Sequence, residues 1–136
     1  MADAANEAVL RELEQGPFSV ALRLKIESHG EGEATVRMLF GAGILNAGGP
    51  DVPIHGGAIA ALADFAACAA VWTMPQTRNS ATISMTVNYT APAVKTDLAA
   101  RARVRRSGKR IASIAVEIID NEGALVADAL VTYKIA

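Results

Sequence analysis

Apolar and polar residues alternate along much of the chain, and this period of two predicts strands. Residues 81–89 set Ile83, Met85, Val87 and Tyr89 against Thr82, Ser84, Thr86 and Asn88, and Pro92 ends that strand. From 98 to 106, Ala100, Ala102 and Val104 read as inward and Arg101, Arg103 and Arg105 as outward. Residues 111–119 and 124–134 form another pair around Asp120-Asn121-Glu122-Gly123. Upstream, residues 18–28 and 33–40 flank His29-Gly30-Glu31-Gly32, a turn signal, and predict a hairpin. Strands with one wet face belong to antiparallel sheets.

Two segments break the alternation. The first fifteen residues read as a short acidic helix with Val9, Leu10 and Leu13 on one side. Residues 56–72, GGAIAALADFAACAAVW, favour a helix through Ala and Leu and are apolar nearly all round, the mark of a buried helix. The order is helix, two strands, buried helix, four strands. That order predicts an α+β fold, with an antiparallel sheet around one central helix.

Composition narrows the function. With 136 residues, 51% hydrophobic and 20% charged, the chain suits one folded domain. A net charge of −1 argues against a nucleic-acid partner for the molecule as a whole. Cys68 is the sole cysteine, and His29 and His55 are the only histidines, so no metal site is expected. The acidic N-terminus has no basic stretch ahead of an apolar one, and no apolar run reaches the ~20 residues of a membrane helix. A soluble, cytoplasmic protein without a membrane partner is expected. The charge is uneven, however: residues 95–110 carry seven of the thirteen basic groups, namely Lys95, Arg101, Arg103, Arg105, Arg106, Lys109 and Arg110.

The candidate chemistry lies where the central helix begins. His55-Gly56-Gly57 opens it, and free backbone N–H groups at a helix start suit a developing oxyanion. Asp64 is a carboxylate inside an otherwise apolar helix, where it either meets solvent or an arginine or has chemical work. His55 alone reads equally as a helix cap. Nine residues separate it from Asp64, roughly 13 Å and half a turn on a helix. One copy of the helix cannot bring both to one reacting atom, whereas two antiparallel copies across a dimer axis can.

The segments HGGAIAALAD, SMTVNYTAP, the basic run ending SGKR, and GALVADALVTYKI together resemble the hotdog-fold acyl-CoA thioesterases of the PaaI (phenylacetyl-CoA thioesterase) type, over roughly residues 18–135. The resemblance implies a single hotdog domain over 18–136, which follows the helical segment read over 1–17. It also implies a homodimer or homotetramer that hydrolyses acyl-CoA, with no cofactor beyond the coenzyme A of the substrate. By it, the Gly56 N–H polarises the thioester carbonyl and His55 orients that carbonyl or the loop, with Gly57 beside them. Asp64 of the opposing subunit acts as general base on water, or as nucleophile through an anhydride. Thr82, seven residues before Tyr89, matches the hydroxyl that positions the water in some members. An Asn six residues ahead of the His is frequent in the family, but position 49 here is Gly, which leaves Asn46 as the nearby candidate.

Coenzyme A carries a 3′-phosphate and a pyrophosphate, which Arg and Lys suit by charge and geometry. The resemblance assigns Arg106, Lys109 and Arg110 to it; Arg101 and Arg103 read as a solvated strand face. Phe65, Trp72 and Met74 read as core or dimer contacts, and Cys68 as an inert small hydrophobe. Two rival readings remain. Asp51-Val52-Pro53-Ile54-His55 is similar to the Asp/His loop of R-specific enoyl-CoA hydratases, although the Asn before its Pro and one residue between Asp and His are missing. A non-catalytic acyl-CoA binding module is the other, against which an intact Asp64 argues.

Overall fold

A computed structural model describes residues 4–49 and 51–136. The first helix, α1, runs Ala4–Gln15 and buries Leu10. It is tied to the rest of the molecule at both ends: Asn6 Nδ2 donates to the Met74 carbonyl at 2.6 Å, and Glu14 accepts the Ile26 N–H at 2.7 Å.

The strand expected from residue 18 starts later. Pro17–Ala21 is a short helix, α2, and strand β1 spans Leu24–Gly30. Pro17 presets the φ angle of a first helical turn, and the Leu22 N–H closes that turn on the Phe18 carbonyl. Arg23, at φ 58°, then turns the chain into β1. Strand β2, Glu33–Met38, pairs antiparallel with β1 through a two-residue turn. Both turn residues, Glu31 (φ 55°) and Gly32 (φ 82°), have positive φ, as the hairpin turn that matches strand twist requires.

The central helix, α3, spans Gly56–Trp72 as the sequence predicts. Ala63, Ala66, Ala67, Ala69 and Ala70 are fully buried, and their small side chains let the helix lie close to the sheet. A buried helix end needs partners for its orphan carbonyls. Thr73 Oγ1 donates to the Ala70 carbonyl at 2.7 Å and Thr77 Oγ1 to the Val71 carbonyl at 2.6 Å. Thr73 Oγ1 also accepts the Gly32 N–H at 2.7 Å, which fastens the β1–β2 turn to the helix.

Four strands follow: β3 (Ala81–Tyr89), β4 (Leu98–Ser107), β5 (Ile111–Ile119) and β6 (Leu125–Lys134). With β1 and β2 they form one antiparallel sheet in the order β1-β2-β4-β5-β6-β3. The sheet packs around α3, which is the hotdog arrangement. On β4, Ala100 and Ala102 are buried while Arg101 and Arg103 are exposed, as the alternation requires. On β6, Ala127, Ala129, Val131 and Tyr133 point inward. Strand β3 differs from the other strands. Like β1 it forms an edge of the sheet and pairs with a single strand, here β6, but unlike β1 it leaves large apolar side chains open, Ile83 55% and Tyr89 53% exposed.

Candidate active site

The start of α3 is built by its cap. His55 has extended backbone (φ −60°, ψ 132°), and its Nδ1 accepts the Gly57 N–H at 2.8 Å. That bond places the ring hydrogen of the neutral imidazole on Nε2. The His55 carbonyl takes the N–H groups of Ala58 and Ile59. Of the first-turn donors this leaves the Gly56 N–H, which has no partner among the described residues. Above it lies Tyr89, whose hydroxyl donates to the Gly56 carbonyl at 2.8 Å. A side chain at Gly56 would meet the Tyr89 ring at 3.4 Å, so glycine keeps the approach open. Ile54, Ile59 and residues 89–93 complete a depression of about 360 Å³ at this point.

Asp64 sits two turns further along α3, half-buried. Thr82 Oγ1 donates to its Oδ1 at 2.5 Å. The Tyr133 hydroxyl lies 3.0 Å from the same Oδ1 and 3.1 Å from the Asp64 carbonyl. Burial pushes the Tyr133 phenol far above its ordinary range, with the nearby Cys68 thiol adding to the effect, so the hydroxyl stays a donor. Among the described residues, Asp64 Oδ2 accepts no hydrogen bond.

The structure therefore joins Asp64 to Thr82 and gathers His55, Gly56 and Gly57, but keeps the two groups apart along α3. Asn46 lies beside the cap: its N–H bonds to the Pro53 carbonyl at 3.1 Å, and the neighbouring Leu45 and Ile54 form an isolated bridge. Its side chain is exposed and makes no hydrogen bond among the described residues. Asp51 is 79% exposed, with its Oδ1 3.1 Å from Lys95 Nζ. Arg106, Lys109 and Arg110 share a depression of about 490 Å³ at the β4–β5 turn and form no ion pair among the described residues. That turn lies across β6 from the start of β3, at the Thr82 end of the sheet.

Cys68 and Trp72 continue the helix face of Asp64. Trp72 Nε1 donates to Ser80 Oγ at 2.8 Å, and burial raises the Cys68 thiol, which keeps it protonated. Met74 is buried in the core, and Phe65 and Trp72 pack against it half-buried. Sequence reading missed Tyr133. Its signal was a lone hydroxyl in the inward series Ala127, Ala129, Val131, Tyr133.

A family model described as the thioesterase superfamily matches residues 54–127, more than half of the chain, and includes His55, Gly56, Asp64 and Thr82. Among solved structures, a mutant of the phenylacetic acid degradation protein PaaI of Thermus thermophilus is similar at 31% identity and a TM-score of 0.79, covering 89% of this chain and 100% of that one. The PaaI protein of the Escherichia coli phenylacetic acid degradation operon is 28% identical with a TM-score of 0.81, covering 97% and 91%. A conserved protein of Pseudomonas aeruginosa is 28% identical with a TM-score of 0.84, covering 93% and 98%. No curated protein matches the chain in sequence.

Proposed function

The chain belongs to the thioesterase superfamily, and from that premise we propose that it hydrolyses acyl-CoA thioesters to free acid and coenzyme A at a site shared by two copies. One observation carries the reading: Gly56, whose N–H has no partner among the described residues, and Asp64 are tied to opposite ends of the same edge strand, Gly56 through its carbonyl and Asp64 through its carboxylate. Within one chain they stand eight residues apart on α3, about 12 Å. Thr82, bonded to Asp64, begins β3, and Tyr89, bonded to Gly56, ends it. Antiparallel pairing of β3 with its own copy, centred on Thr86, brings the Thr82 end of each strand to the copy's Tyr89, because the bulge between Thr82 and Ser84 turns Thr82 to the face that Tyr89 shares. Asp64 then approaches the Gly56 amide of the copy. The exposed Ile83 and Tyr89 support this pairing, since a long unpaired edge invites another strand.

In this reading the thioester carbonyl oxygen points at the Gly56 N–H, at the positive end of α3. Asp64 Oδ2 takes a proton from water as the water oxygen bonds to the carbonyl carbon. The tetrahedral oxyanion collapses, the C–S bond breaks with its electrons on sulfur, and the thiolate takes the proton that Asp64 had accepted, which restores the carboxylate. His55 holds the loop through its cap and offers Nε2–H beside the carbonyl. Arg106, Lys109 and Arg110, at the carboxylate end of the sheet, face the phosphates of coenzyme A.

Thiol release from a panel of acyl-CoAs tests the proposal, starting with phenylacetyl-CoA because two relatives are named for phenylacetic acid degradation. Asp64→Asn is expected to lower kcat about 10³-fold, within the usual range for a general base, with substrate binding retained. Loss of conjugated absorbance from crotonyl-CoA without thiol release would assign a hydratase instead. Binding without either signal would assign a non-catalytic module.

A further inference from the structure

We propose that Tyr133 is a positioning residue that, with Thr82, fixes which oxygen of Asp64 acts as the base; this rests on the thioesterase reading above. Thr82 and Tyr133 are cross-strand partners in the β3–β6 register, so the sheet presents their hydroxyls side by side. Both converge on Oδ1, at 2.5 Å and 3.0 Å. A carboxylate held by two donors on one oxygen cannot turn about its last torsion without breaking both bonds. Oδ2, which carries no donor among the described residues, is thereby held in one direction.

Tyr133 is suited to this by its surroundings. Its ring is only 3% exposed, packed in line with Ala127, Ala129 and Val131. A buried phenol needs a partner, and its single hydrogen is shared between the Asp64 carboxylate and the Asp64 carbonyl. The carbonyl contact fixes the hydroxyl to the helix backbone as well as to the side chain it orients. The residues matched by the thioesterase-superfamily model stop at 127, so nothing in that match assigns the tyrosine a role.

The test compares the whole protein with Tyr133→Phe and Asp64→Asn, measuring thiol release from an acyl-CoA that the wild type hydrolyses, across pH. Tyr133→Phe is expected to lower kcat about tenfold with KM within about twofold, because a charge-assisted bond to the base is lost while substrate contacts remain. The acidic limb of its kcat profile moves to higher pH, since the charged carboxylate has lost a donor. Site-specific 3-fluorotyrosine at 133, a stronger donor of nearly the same shape, moves the limb to lower pH and serves where Tyr133→Phe folds poorly. A purely structural tyrosine would leave the limb in place in both variants, and that result overturns the proposal. Full activity in Asp64→Asn would remove the base that Tyr133 is proposed to orient, whereas no thiol release by the wild type from any acyl-CoA would overturn the thioesterase reading itself.

Discussion

The proposed chemistry at Gly56 turns on a single N–H at the first residue of a helix, where an added Cβ would touch the Tyr89 ring at 3.4 Å without overlapping it. Proline suits that helical position, and the extended backbone of His55 suits the residue before a proline. Gly56→Pro therefore deletes the donor while keeping α3. The expected result is a loss of roughly 10²–10³ in kcat, the usual effect of removing one oxyanion donor. Circular dichroism of the variant checks that the helix survives. Asp64 and Gly56 stood out in the sequence as candidates because each breaks a local rule: a charge in an apolar helix, and a glycine where a helix starts. Tyr133 was not legible in its role, because its partner lies 69 positions away and only the folded sheet joins them.

The elements differ in how far local pattern determined them. Helix α3 was readable to its ends, because its Ala- and Leu-rich, nearly all-apolar run opens on His55-Gly56-Gly57. Helix α2 was not, since Phe18 and Val20 alternate with polar neighbours like a strand and yet lie exposed on one helical turn. The cap can be tested directly. His55→Ala leaves the Gly57 N–H without its acceptor and is expected to cost about 1 kcal/mol in urea unfolding, while His55→Asn restores most of it. Strand β6 gives a pH prediction. The folded state holds the Tyr133 proton more tightly than the unfolded chain, where a tyrosine titrates near ~10. Its contribution to stability is full below about pH 10 and falls by up to ~1.4 kcal/mol per unit above it. Urea midpoints compared between wild type and Tyr133→Phe from pH 8 to 11 should show the steeper alkaline fall in the wild type only.

At the scale of the whole molecule, the sheet ends in a strand that its own chain covers poorly, and each copy holds half of the proposed site. Asp64→Asn and Gly56→Pro chains are each expected to be inactive alone. Unfolded together and refolded, random pairing gives mixed dimers in which one of two sites is intact, so about a quarter of wild-type activity returns. No return of activity would place both halves of the chemistry in one copy. In the proposed pairing of two copies, the uncovered edge of β3 also makes concentration a control on turnover. Once the protein is diluted below the dissociation constant of the pair, the rate grows with the square of the amount present. A small rise in expression would then switch hydrolysis on sharply, while scarce newly made chains would leave the cellular store of activated acids untouched.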